Sequence, residues 1–305
     1  MYQIKRAKRM TGPVMVQEQT GKLEYLTFPS LTDTGIVKHL FTTRTGGVST
    51  GIFESMNLNF ERGDDPEKVR TNYERVAGVL GCSVADMVLS KQTHTTNIRK
   101  VTEEDCGKGI IRPLDYTDVD GLITDREGIV LVTSYADCVP LYFVDPVKKA
   151  IGLAHSGWRG TAMGMGQCMV EAMRTHFGSR PEDLYAAIGP SICQDCYEVS
   201  EEVAEAFRDL WEGQEDLVEE LIKSGYRGGC EGIYRCMTAP GRNPGKYQLD
   251  LWIANAVILR RAGIPLHRIA ITDICTCHNP EYLFSHRASG GKRGNLSVFL
   301  MLKKN

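Results

Sequence analysis

The sequence predicts a mixed fold of the α+β class, carried by a single domain. Three observations predict it. Short apolar runs of strand character are interleaved along the chain with longer stretches whose apolar residues recur at helical spacing. No internal repeat, low-complexity tract or linker-type break divides the 305 residues. Hydrophobic residues make up 42% and charged residues 24%, the balance of an ordinary globular protein, which excludes disorder. Lys plus Arg number 36 against 38 Asp plus Glu, a formal charge of −2, so nothing in the overall charge draws the chain to nucleic acid or an anionic membrane. No apolar run approaches the roughly 18 residues that read as a membrane span.

Residues 1–34 are polar and irregular, with short apolar pieces at Val14–Val16 and Tyr25–Phe28, and read as an N-terminal extension or hairpin ahead of a catalytic domain spanning 35–305. Thr42–Gly51 is a Gly-rich loop. The first clear helix is Asp65–Leu80: Asp65 caps it, Pro66 suits its first turn, Val69, Tyr73, Val76 and Leu80 share one face, and Gly81 stops it. Strands are expected at Asp86–Lys91 and Thr96–Val101, on either side of His94, then at Leu122–Thr124, Val130–Thr133, Leu141–Val144 and Ala150–Ala154. A helix should run from Thr161 to Phe177, and another should start after Ser200 with Val203, Phe207 and Leu210 on one face. Glu212–Lys246 reads as a long surface excursion with one short helix. A last helix covers Asp250–Ala262, and strands near Ile269–Thr272 and Ser297–Leu302 close the chain.

The ten cysteines are the unusual feature of the composition. The basic N-terminus has no apolar stretch behind it and is not expected to be a secretory signal, so a cytoplasmic location with mostly reduced thiols is expected. Cys138 stands out. Asp145-Pro146-Val147-Lys148-Lys149 is a turn by composition, and a hairpin centred near Val147 sets Cys138 almost opposite His155, with side chains within roughly 5 Å. At that distance a thiolate and an imidazole can share a metal ion or form a nucleophile pair. His94 would complete a one-Cys, two-His set that leaves zinc an open position, although a buried thiol beside a core histidine is also compatible with the pattern. Cys193-Gln194-Asp195-Cys196 has redox or zinc spacing, and Cys275-Thr276-Cys277-His278 has metal-ligand character; reduced structural thiols are the plainer reading of both. Gly157–Gly160 is either a phosphate-holding helix start or a tight turn, and Arg44 and Arg159 are anion clamps or surface ion pairs.

Around these residues the sequence resembles the YfiH family, also called the laccase-domain or polyphenol oxidase-like family, whose members are described as purine nucleoside phosphorylases. The resemblance rests on TTRTGGVSTGIFESMNLNF (42–60), GDDPEKVRTNYERV (63–76), KQTHTTNI (91–98), DGLITDREGIVLVTSYADCVPLYFVDP (120–146), IGLAHSGWRGTAMG (151–164), AAIGPSICQDCYEVSEEV (186–203) and ICTCHNPEYLFSHRASGGKRG (274–294). It implies an α/β/β/α sandwich of mixed sheets, similar to the catalytic domain of cytotoxic necrotizing factor toxins. It implies zinc held by His94, Cys138 and His155, phosphorolysis of adenosine, guanosine, inosine and methylthioadenosine, and deamination of adenosine. Purine nucleosides and phosphate are the expected partners, and the chain is expected to be a monomer or homodimer. The family's closing Thr-Gly-Arg is Gly291-Lys292-Arg293 here.

On this reading Arg44 and the Gly157–Gly160 turn neutralise phosphate. Asp137 is a proton carrier, a support for the neighbouring ligand, or simply a turn carboxylate. Asn57 and Asn59 position substrate or cap their loop, and Gln92 and Arg159 are further substrate-binding candidates. Two rival activities remain. One is a Cys or zinc amidohydrolase acting on a cell-wall precursor, as some bacterial relatives resemble. The other is a copper polyphenol oxidase, which needs more histidine ligands than the seven present.

Overall fold

The structure, a computed structural model, describes residues 1–7, 13–210, 215–223 and 238–304. Its strands are β1 (Val16–Thr20), β2 (Leu23–Thr27), β3 (Val37–Thr42), β4 (Met87–Leu89), β5 (Ile98–Lys100), β6 (Gly121–Thr124), β7 (Val130–Tyr135), β8 (Val139–Asp145), β9 (Ala150–Ser156), β10 (Tyr185–Ile188), β11 (Glu198–Ser200), β12 (Thr238–Pro240), β13 (Lys246–Leu249), β14 (Ile269–Ile271) and β15 (Leu296–Leu302). Its helices are α1 (Pro29–Thr32), α2 (Pro66–Leu80), α3 (Trp158–Ala162), α4 (Met165–Phe177), α5 (Glu201–Glu205), α6 (Glu215–Lys223), α7 (Leu251–Arg261) and α8 (His286–Ser289).

Two six-stranded sheets dominate, ordered β1-β2-β3-β15-β7-β4 and β14-β10-β8-β9-β6-β5, with a small third sheet β11-β13-β12. Both large sheets are mixed: β4–β7, β5–β6 and β10–β14 pair parallel, and their other neighbours pair antiparallel. Strand alternation explains how they stack. On β15, Val298 and Leu300 enter the core between the sheets, where they join Tyr142, Val144, Ile151 and Leu153 of the second sheet. The intervening Phe299 and Met301 face the other way, into a core closed by Val69, Tyr73, Val76 and Leu80 of α2. On β8, Leu141 and Phe143 point to a third core shared with Met169 and Met173 of α4 and Trp252 of α7. Three cores between four layers make an α/β/β/α sandwich of mixed sheets in one domain.

The predicted first helix forms with its predicted ends. Asp65 accepts from the Glu67 N–H, Pro66 opens the helix, and Gly81 closes it at φ 70°. Asp250 likewise caps α7 by accepting from the N–H groups of Trp252 and Ile253. The expected Thr161–Phe177 helix is two helices. Gly164, at φ 79°, takes the left-handed conformation that an uninterrupted helix cannot contain, so α3 ends and α4 starts around it. The helix after Ser200 is shorter than its apolar pattern suggests, with α5 ending at Glu205 and a separate 3₁₀ turn at Arg208–Leu210. Of residues 212–246, α6, β12, the turn after it and the start of β13 are described, and residues 212–214 and 224–237 lie outside the described residues. No helix among the described residues is long and apolar enough to cross a membrane.

Candidate metal centre and its cavity

The chain passes from the first sheet to the second on two links, β4 to β5 and β7 to β8. His94 lies on one and Cys138 on the other. His155 stands near the end of β9, and Asp120 immediately precedes β6. The ligand atoms of His94, Cys138 and His155 lie within 4.8 Å of one another, with Cys138 Sγ 4.0 Å from His94 Nε2. The His94 and His155 rings meet edge to face at 4.9 Å. The hairpin register differs from the expected one: Pro140, not Cys138, pairs with His155. Asp137, at φ 84°, turns the chain just before β8, so Cys138 approaches His155 from a diagonal position.

Asp120 is the residue the sequence did not reveal. Fully buried, it accepts from His155 Nδ1 at 2.8 Å and His94 N at 3.1 Å through one oxygen. Its other oxygen accepts from Thr93 N at 3.1 Å, Thr95 N at 2.8 Å and Thr95 Oγ1 at 2.9 Å. A carboxylate only accepts here, so Nδ1 of His155 carries a proton and Nε2 is the nitrogen turned to the site, the one a metal would take in place of a proton. The same bonds hold the His94 loop, where His94 itself sits at φ 68°, a conformation costly for a residue with a side chain. Burial opposes ionisation of Asp120, but the His155 and backbone hydrogen bonds prevail and bring its pKa down to about 2. Burial would also raise the Cys138 thiol, yet His155 and His94 lower it to about 6; burial would lower His155, yet Cys138 and Asp120 raise it to about 9. The thiolate that results is the metal-binding form of cysteine. Gly157 is required by contact rather than by backbone: a Cβ there would lie 2.9 Å from His94 Cδ2 and 3.2 Å from Cys138 Sγ.

His94, Cys138 and His155 line a cavity of about 280 Å³ together with Asn59, Arg62, Gln92, Ser134 and Arg293. Arg293 is 7% exposed, donates to Gly294 O and Asn295 Oδ1, lies 3.5 Å from His286 Nδ1 through Nη2, and forms no ion pair among the described residues; its Nε has no partner there. Burial, with Arg62 nearby, lowers its pKa to about 10. Gln92 Oε1 accepts from Ser134 N, and its Nε2 donates to Ser134 O. Asn59 Oδ1 accepts from Glu61 N and caps a short turn.

The remaining candidates do not line the cavity. Arg44 donates to the carbonyls of Glu54 and Pro280 and stacks over Phe284. Both carboxylate oxygens of Asp137 are engaged, one by Thr276 Oγ1 and one by Arg287 N. Buried Asn57 donates to Asp64 and accepts from Asn59 N and Asn295 N. Arg159 is exposed and packs on Trp158. Arg293 is marked in the sequence only by the closing motif in which it stands, and Arg62, between the segments 42–60 and 63–76, is marked by none.

Fold and site define a single-domain, four-layered protein with a Cys/His centre able to hold a metal in a small-molecule cavity. The chain belongs to the family described as multi-copper polyphenol oxidoreductase laccase, whose model matches residues 38–303. It is 35% identical over 265 residues, 87% of this chain and 88% of the other, to the purine nucleoside phosphorylase YlmD of Bacillus subtilis. It is 32% identical over 264 residues, 83% of this chain and 90% of the other, to the adenosine deaminase RL5 of an unknown prokaryotic organism. The crystal structure of the Bacillus licheniformis hypothetical protein YfiH superposes with a TM-score of 0.80 at 34% identity, covering 96% of this chain and 98% of that one. The resemblance to the YfiH family read from the sequence therefore holds.

Proposed function

We propose that this chain is a zinc-dependent purine nucleoside phosphorylase that also deaminates adenosine. Adenosine, guanosine, inosine and methylthioadenosine form its substrate class, and phosphorolysis yields the free base and ribose 1-phosphate. One observation carries the reading: a single cavity is lined both by the His94, Cys138 and His155 donors and by Arg293, a buried cation with no carboxylate partner among the described residues. Relatives named for both activities support it.

Two imidazoles and a thiolate suit zinc and leave it an open position, where it supplies Lewis acidity when bound. Asp120 keeps His155 in the tautomer that can serve as a ligand. Arg293 and Arg62 supply charge to neutralise and orient phosphate for attack at the ribose C1′ carbon. Asn59, whose amide nitrogen is not used by its turn, offers a donor to substrate, and Gln92 offers an amide held rigid by Ser134. The test is adenosine with and without phosphate, following adenine, ribose 1-phosphate and inosine. Phosphate-dependent adenine release is expected; release that ignores phosphate removes the phosphorylase reading.

A second reading has its own observation. Asp120, His155 and Cys138 form a line in which an acid orients a base beside a thiolate, the arrangement of a cysteine hydrolase. An amidohydrolase acting on a cell-wall precursor would use it. Turnover of an amide substrate that survives a chelator and is lost to iodoacetamide would favour this reading. Metal analysis of the purified protein separates zinc from the copper of a polyphenol oxidase.

A further inference from the structure

Two short motifs that the cavity does not use converge elsewhere. Cys193 and Cys196 follow β10, whereas Cys275 and His278 follow β14. Since β10 and β14 are parallel neighbours, and a bridge between Ser191 and Cys275 extends their pairing, both motifs leave the same end of the second sheet together. The three sulfurs and the His278 ring nitrogen lie within 4.8 Å of one another. Cys193 Sγ is 3.9 Å from His278 Nδ1, and the Cys193 N–H points at Cys275 Sγ at 3.3 Å. All three cysteines are free thiols, with Cys193 and Cys275 buried.

We propose that Cys193, Cys196, Cys275 and His278 form a second metal site, structural in kind, that takes one zinc ion. Both motifs space their ligands by two residues, Cys193-x₂-Cys196 and Cys275-x₂-His278, and three thiolates with one imidazole make a closed tetrahedral zinc set. Thiolate-rich donors select zinc over the oxygen-seeking magnesium and calcium. On binding, the three thiols release their protons to solvent and no electrons move. The site has a task in the fold. Ile192 N donates to Asp137 O at 3.0 Å, and Thr276 Oγ1 donates to Asp137 Oδ1 at 2.6 Å. Each motif thus grips the residue that precedes Cys138, and a zinc ion joining them fixes the Cys138 link from behind.

The experiment is metal content per chain of the full-length protein, purified under reductant, for wild type, Cys138→Ala and Cys193→Ser. Two zinc ions are expected in wild type and one in each variant. After cobalt exchange, the sulfur-to-cobalt charge-transfer band of Cys138→Ala should be about threefold stronger than that of Cys193→Ser, three thiolates against one. If Cys193→Ser does not fold, wild type and Cys138→Ala decide alone. One ion retained by Cys138→Ala, with the thiolate-rich cobalt spectrum, supports the second site whatever the first one holds. A Cys138→Ala protein free of metal overturns it. So does an intact mass lower by two hydrogens with two fewer titratable thiols, the mark of a disulfide among these cysteines.

Discussion

Replacing Asp120 with asparagine leaves the shape of the metal centre intact and changes only its proton bookkeeping. One oxygen of Asp120 serves three donors, Thr93 N, Thr95 N and Thr95 Oγ1, and the other serves two, His155 Nδ1 and His94 N. The asparagine carbonyl will keep the larger set, so its NH₂ turns toward His155. His155 must then accept at Nδ1 and carry its proton on Nε2, the nitrogen the metal needs. Loss of a second-layer partner of a metal-bound histidine typically costs about 10- to 100-fold in metal affinity, or about 1.4 to 2.8 kcal/mol. The His94 N–H also loses its acceptor, at about 1–3 kcal/mol, which lowers the melting temperature by several degrees. The assay is zinc competition against a chromophoric chelator, with circular dichroism to verify the fold and turnover of adenosine as the functional readout. A folded Asp120→Asn protein that binds zinc as tightly as wild type refutes the tautomer argument.

Three further outcomes follow from the same geometry. Gly157→Ala should fold with a stability loss of about 1 kcal/mol or less, because exposed His94 can swing away, yet its metal affinity should drop at least about tenfold, since the displaced atoms belong to two ligands; zinc competition and a thermal melt check both. Arg293→Met should raise the KM for phosphate by about 10- to 100-fold, the worth of a lost charge-assisted hydrogen bond, with the melting temperature held or raised because an unpaired buried cation is gone; a lower melting temperature with unchanged phosphate kinetics would make Arg293 structural. Buried His39, which accepts from the Phe28 N–H, has its pKa lowered from 6.5 to about 4 by burial. Between those values the unfolded chain binds a proton that the folded one refuses, so urea stability should fall by up to about 3 kcal/mol as pH drops through that window. In His39→Gln that one-proton slope should vanish, and its persistence would assign the slope to other groups.

The parts of this molecule legible in the sequence are those specified locally. The cap at Asp65, the stop at Gly81 and the turn at Asp145–Lys149 each depend on neighbours within a few residues, and each forms. The hairpin brought Cys138 and His155 together in the reading even though its register was set wrongly, because a diagonal pair on one sheet face still meets. What escaped were partnerships across the chain. Asp120 meets His155 across 35 positions, and nothing about an Asp before a strand marks it as the group that orients an imidazole. Arg293 is visible only as the matching residue of an otherwise altered closing motif, since its burial with no carboxylate among the described residues is a property of the folded surroundings. Arg44 suggests a phosphate role because it stands in a Gly-rich loop, but it lies outside the cavity lining, with Nε and Nη1 donating to the carbonyls of Glu54 and Pro280.

The placement of His94 and Cys138 on two of the links between the sheets has a mechanical consequence. Strands are held by continuous ladders, whereas His94 and Cys138 lie outside them, so these two ligands need support from elsewhere. For His94 that support is Asp120, which binds three successive backbone N–H groups from Thr93 to Thr95. For Cys138 it is Asp137, whose carboxylate and carbonyl take hydrogen bonds from Thr276, Arg287 and Ile192. Each link therefore has one buried aspartate as its anchor, and the two anchors differ in kind. Asp120 also touches a ligand side chain and sets its proton, whereas Asp137 acts only through the backbone it pins. Substituting Asp137 with asparagine should accordingly loosen the Cys138 link and lower stability without shifting the tautomer of His155, the reverse of the pattern expected at Asp120.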